Sequence, residues 1–213
     1  MDQYTSERNR KLAQHIIRGL ASRNMEGYFA ETAEEALECA LSLIPEGSSI
    51  SWGGSMSAQE IGLLDAVRNG SYDVVDRDLA KTPEERRALM LQGFDADYFI
   101  ASTNAITEDG ILVNIDGNGN RVACMAYGPR HVILIVGMNK VTKDLDHAMY
   151  RARNVAAPTN TQRFPSLKTP CMETGSCHDC KSKDSICASF LITRFQQVAG
   201  RIKVILVNEN LGF

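Results

Sequence analysis

The chain has 213 residues, with 23 Lys+Arg against 26 Asp+Glu, 44% hydrophobic and 7% aromatic residues, a balance that excludes a disordered, collagen-like or repeat-array protein. A formal net charge of −3 gives no long-range attraction to nucleic acid or anionic lipid, so neither is a favoured partner. No apolar run approaches the roughly 18 residues that cross a bilayer, and the opening MDQYTSERNRKLAQ has no apolar signal core; the expectation is a cytoplasmic protein without a membrane span.

Taken along the chain, residues 4–23 place Leu12, Ile16 and Leu20 at helical spacing. Three further helices are expected from a Ser or Thr followed three residues later by Glu: Thr32–Glu35, Ser57–Glu60 and Thr82–Glu85, the last with Pro83 at its first position. Pro45, Asn69-Gly70 and Gly93 end them. Strands are expected at Ser49–Trp52, Tyr72–Val75, Tyr98–Ala101, Ile111–Ile115, Val122–Tyr127 and His131–Val136. HVILIVG and KVILVN are continuous apolar runs, which suits strands covered on both faces. The predicted fold is α/β: a three-layer α/β/α sandwich with a mainly parallel, doubly wound sheet and one β-hairpin, forming a single domain over 1–213. The hairpin is expected between Ile111–Ile115 and Val122–Tyr127, because Asp116-Gly117 and Asn118-Gly119 are hairpin-turn chemistry.

Beyond a helix at His147, residues 156–160 and Arg163–Pro170 lack periodicity and read as a connecting arm. A helix carrying Phe190, Leu191, Phe195 and Val198, closed by Gly200, and a last strand at Ile202–Val207 are expected to end the fold.

Three segments carry candidate chemistry. Gly53-Gly54-Ser55 follows a strand and opens a helix, a place where close backbone approach and exposed N–H groups suit an anionic ligand. Ser102–Gly110 follows the next strand. There Glu108 is the expected nucleophile, general base or substrate orienter, Asp109 its competitor, and Thr103 and Asn104 hydrogen-bonding neighbours. The third segment, residues 171–187, spaces four thiols as Cys171-x5-Cys177-x2-Cys180-x6-Cys187. In a reducing compartment such a set binds tetrahedral zinc or an iron–sulfur cluster. A single CxxC pair, unequal spacings and the freedom of Gly175 favour [4Fe–4S], with zinc the alternative and His178 a bystander. Cys39 and Cys124 read as small core residues, and Lys140, Arg151 and Arg153 as cations within reach of an anionic ligand.

SWGGSMS, TNAITEDGILVNIDGNGNRVA, GPRHVILIVGMNKV, RARNVAAPTN and CMETGSCHDCKSKDSIC, in that order, resemble the LUD-domain family of lactate-utilisation proteins, from about Ser49 to Cys187. The resemblance implies the sugar-phosphate isomerase and CoA-transferase type of α/β/α fold. It also implies a role in oxidising lactate or a related 2-hydroxy acid, with a small anionic substrate and iron–sulfur redox partner proteins; a homo-oligomer stays open. By the same resemblance Gly53, Gly54 and Ser55 match the family's first glycine loop, and Thr103, Asn104, Glu108 and Gly110 its second motif. Glu108-Asp109-Gly110 has the Glu-x-Gly form whose glutamate forms the thioester in related CoA transferases. The alternative it implies is a stand-alone CoA-transferase-like or isomerase-like enzyme with a structural zinc.

Overall fold

Asp2 caps the first helix by accepting from the Tyr4 and Thr5 amides. In the computed structural model, which describes residues 2–213, that helix, α1 (Gln3–Ser22), buries Ala13, Ile16 and Leu20 along one stripe. Strand β1 (Glu26–Ala30), helix α2 (Ala33–Ser42) and strand β2 (Ser49–Trp52) follow. The Thr32 hydroxyl accepts from the Glu35 amide, as its capping box predicts. The next cap lies two residues earlier than expected. Ser55, not Ser57, accepts from the Ala58 amide, and Gly62 at φ 77° splits the helix into α3 (Met56–Glu60) and α4 (Leu63–Asn69). Strand β3 (Asp73–Val74), the Thr82-capped helix α5 (Pro83–Phe94) and strand β4 (Tyr98–Ala101) complete the first half.

Two expected elements change type. A hairpin exists, but it joins β5 (Ala105–Thr107) to β6 (Leu112–Asp116), and Val122–Tyr127 lies mostly in helix α6 (Asn120–Ala126). The reason is local. The Asp116 carboxylate accepts from the Asn118 and Gly119 amides, which turns the DGNGN segment into a helix entry. At the other end buried Arg201 binds the carbonyls of Cys124, Met125 and Tyr127, satisfying the acceptors that a helix leaves open. The helix expected at Phe190–Val198 is instead strand β9 (Ser189–Thr193), antiparallel to β6, with Leu191 packed inward and Phe190 and Ile192 outward.

Strand β7 (His131–Gly137), helix α7 (Leu145–Arg151) and strand β10 (Ile202–Val207) occupy their expected regions, and a short β8 (Val141–Thr142) is added between β7 and α7. The connecting arm is partly helical: a π-helical turn over Ala152–Ala156 leads into α8 (Ala157–Thr161), and α9 (Pro170–Thr174) precedes the cysteines.

The main sheet runs β1-β10-β7-β4-β2-β3 with every pair parallel. Strand alternation sorts its apolar side chains. Ile50, Trp52, Ile100, Ile133 and Ile135 face α2, α3 and α4, while Phe99, Val132, Leu134 and Leu206 face α1, α6 and the second sheet, β8-β5-β6-β9. The α/β sandwich is therefore as expected, with a small mixed sheet added to one side. No helix among the described residues is long and apolar enough to cross a membrane.

Candidate functional site

Chain connections leave β2 toward β3 and β4 toward β7, in opposite directions across the sheet. The carboxyl ends of β2 and β4 thus flank a topological switch point, where open α/β sheets gather ligands. A cavity of about 410 Å³ lies there. Its floor is the loop Gly53-Gly54-Ser55 after β2 and Ser102-Thr103-Asn104 after β4; its walls include Arg77, Arg121, Lys140, Asp116 and Arg163.

The two loops meet as expected, but their polar groups have other duties. The Ser55 hydroxyl is the α3 cap, and the Thr103 hydroxyl donates to the carbonyls of Ala105 and Val113. Asn104 Oδ1 accepts from the Ile115 amide (2.9 Å) and from Arg121 (3.1 Å), which leaves the amide nitrogen to the cavity.

Sequence reasoning missed two of the cations that define this space, Arg121 and Arg77. Arg121, on the helix misread as a strand, reaches Asn114 Oδ1 (2.8 Å), the carbonyls of Ser102 (3.0 Å) and Ile115 (2.7 Å), and Asn104, with Asp116 3.6 Å from its Nε. It locks the end of β4 to the end of β6. Gly53 exists for this packing, since a Cβ there would lie 2.8 Å from the Arg121 stem. Arg77, in the Asp-Arg-Asp turn beyond β3, has a buried Nε with no hydrogen-bond partner, and the space a Cβ on Gly54 would fill abuts its guanidinium. A basic residue just past a strand's carboxyl end was the signal available in the sequence.

Lys140, noted from the sequence only as a cation within reach, is 3% exposed and donates to Ser57 Oγ (2.8 Å) and Ser102 Oγ (2.9 Å). Burial, reinforced by the charges of Arg151 and Arg121, pushes its ammonium down to about 7; Glu60 opposes weakly. Arg151 supports the site from behind, bonding the Asn104 carbonyl (2.5 Å) and the Asn139 carbonyl (3.0 Å).

Glu108 does not join this group. Its carboxylate pairs with exposed Lys143 (2.6 Å) and lines no part of the cavity. Asp109 is held by Arg23 and Thr107. The β5–β6 hairpin explains both, because it carries residues 107–111 away from the β4 end, toward α1.

The four cysteines come together elsewhere. Cys171, Cys177, Cys180 and Cys187 line one cavity of about 60 Å³ with His178, Arg153, Asp179 and Phe190. Among the described residues no three or more His, Cys, Asp or Glu side chains are drawn to a single ion-binding point. Burial and the three other cysteines push the Cys187 thiol up to about 11, and Cys171 contacts the Thr169 and Thr161 hydroxyls. His178 bonds Thr174 (2.9 Å), and Arg153 pairs with Asp179, so that arginine serves this cavity and not the larger one. Cys39 and Cys124 lie apart, Cys124 buried in the core.

The two cavities share a wall. Ile186 faces the larger and Cys187 the smaller; across α8, Asn160 faces the larger and Ala157 and Pro158 the smaller.

A family model described as LUD domain matches residues 13–207. Among solved structures, a DUF162 family protein from Deinococcus radiodurans is similar at 14% identity and a TM-score of 0.51, covering 94% of this chain and 98% of that one; at this identity the likeness speaks to the fold. eIF2B delta from Chaetomium thermophilum aligns at 18% identity and a TM-score of 0.34, over 55% of this chain and 52% of that one, too low to carry an argument. No curated protein matches the chain.

Proposed function

The chain belongs to the LUD-domain family, the lactate-utilisation type, and on that premise we propose that it is a redox subunit that binds a small 2-hydroxy or 2-oxo carboxylate in the arginine-lined cavity and holds a [4Fe–4S] cluster on Cys171, Cys177, Cys180 and Cys187. The observation that carries this reading is the shared wall: a cavity lined by Arg77, Arg121 and Arg163 and a four-thiol cavity stand back to back across Ile186–Cys187 and α8.

The donor set suits the cluster. Four thiols are soft ligands, and the carboxylate that shares their cavity, Asp179, is taken up by Arg153. Their cavity of about 60 Å³ is several times the roughly 10–15 Å³ that one water-sized body needs. Bound there, a cluster would accept or pass single electrons and hand them to an iron–sulfur partner protein. This chain's own residues would do the rest. Arg77, which lines the cavity, offers its guanidinium to the substrate carboxylate, the Asn104 amide donates a further hydrogen bond, and Arg121 with the Ile115 amide keeps that side chain in place. Gly53 and Gly54 keep the floor open for close approach.

The other expectation, a CoA-transferase-like or isomerase-like enzyme with zinc on the cysteines, has less support, because the glutamate expected to serve it, Glu108, stands outside the cavity.

The test is anaerobic purification followed by iron, sulfide and zinc analysis, a visible spectrum, and titration with L-lactate and pyruvate. Iron and sulfide in matching amounts, absorption near 400 nm and carboxylate binding that falls about 30-fold or more in Arg77→Met are the expected results. Stoichiometric zinc, or affinity untouched by Arg77→Met, contradicts the reading.

A further inference from the structure

Lys140 has no part in the function proposed above, yet it is the most unusual group in the cavity. No carboxylate lies at ion-pair distance among the described residues; its partners are two hydroxyls. Each hydroxyl has an acceptor of its own. Ser57 O–H faces the Leu211 carbonyl (3.2 Å) and Ser102 O–H the Thr103 carbonyl (3.3 Å), so both oxygens accept from the lysine. A neutral amine has two N–H bonds, which satisfy these two oxygens and leave the lone pair unassigned. An ammonium would carry a third N–H with no partner in a buried place, which is costly.

The surroundings favour the neutral form. Arg151 and Arg121 repel a proton there and Glu60 alone attracts one, from a distance. Gly212 closes one side, since a Cβ on it would lie 3.2 Å from Nζ. With Ser57, Ser102 and Gly212 around it, the open approach to Nζ is from the cavity that Lys140 lines. A desolvated amine beside fixed cations is the recurring form of a nucleophilic lysine.

We propose that Lys140 condenses reversibly with the carbonyl group of a small 2-oxo acid, holding it in the cavity as an imine. The inference rests on the reading that the cavity takes small 2-hydroxy or 2-oxo carboxylates. Nζ attacks the carbonyl carbon to give a carbinolamine. The carbonyl oxygen then leaves as water with the two former N–H protons, and Ser102 Oγ, 2.9 Å from Nζ, relays one of them. A C=N bond replaces the C=O bond, nothing is oxidised or reduced, and water reverses the step.

The experiment uses the full chain with sodium pyruvate, followed by sodium borohydride, intact mass analysis and peptide mapping, with pyruvate titration run in parallel. The expected result is one reduced pyruvate adduct per chain, located on the peptide containing Lys140. It is absent from Lys140→Met and reduced at least tenfold in Ser102→Ala. Mapping of the wild-type chain locates the adduct even where Lys140→Met does not fold. An adduct spread over exposed lysines such as Lys143, or none at all although pyruvate binds, overturns the imine and leaves the substrate reading standing. Failure of both pyruvate and L-lactate to bind removes the two together.

Discussion

Ile186 and Cys187 are neighbours in the chain, yet they face two regions built on opposite principles. The arginine-lined cavity is assembled from the ends of parallel strands whose positions are set by the buried sheet, and its central cation, Arg121, is already bonded to backbone carbonyls. The four-thiol cavity is walled by a segment in which residues 175–188 have no helix or strand, and its cysteines are only half-buried. A preorganised polar site derives its geometry from the fold and stays in shape without ligand. A loop with few buried apolar contacts needs a cross-link to become equally rigid, and a metal group ligated by several residues provides one.

The sharpest way to break the comparison is at the thiols. Each single Cys→Ser variant at 171, 177, 180 or 187 is expected to lose most of the bound iron, because a four-ligand group has no spare partner. Alanine at Cys39 or Cys124 is expected to keep it. Four variants with full metal content, measured after anaerobic purification, would remove the cross-link from the argument.

At the larger cavity the equivalent blow is Arg121→Met. It takes their guanidinium partner from the carbonyls of Ser102 and Ile115 and from Asn114 Oδ1, and removes one of several partners from Asn104 and Asp116. The expected cost is about 3–5 kcal/mol in urea unfolding, together with weaker carboxylate binding. The same variant should leave metal content nearly intact, since Arg121 lies outside the thiol cavity.

Lys140 gives a subtler measurement. Its amine sits at about 7 in the folded chain against 10.5 ordinarily, so between those values the unfolded chain binds a proton that the folded chain does not. Stability should therefore rise with pH through that window, by at most about 1.4 kcal/mol per pH unit from this group, with the whole penalty present below pH 7. Lys140→Met should flatten the difference in unfolding free energy measured at pH 7 and pH 9. An identical slope in both proteins would place a different group in charge of it.

Glu108→Gln has the smallest expected effect. The Glu108–Lys143 pair is at the surface, so stability should change by less than about 1 kcal/mol, and affinity for L-lactate or pyruvate by less than about threefold. A much larger loss of binding would return Glu108 to the site.

The sequence by itself determined much of this protein. Capping boxes at Thr32 and Thr82, the apolar runs of β7 and β10 and the strands before Gly53 and Ser102 depend on neighbours within a few residues, and each formed where those neighbours put it. Gly53, Gly54, Ser55, Thr103 and Asn104 share a cavity because strand ends of a parallel sheet share an edge. Tertiary structure decided the rest. Residues 122–126 became helical because Arg201, some 75 positions on, satisfies the helix's last carbonyls, and Ser189–Thr193 became a strand because β6 had an open edge beside it. Glu108 left the cavity when the β5–β6 hairpin turned it toward Lys143, and Arg77, Arg121 and Lys140 entered from three separate elements. No local pattern can display such a meeting, because the work of burying a charge is offset only by partners that the completed fold supplies.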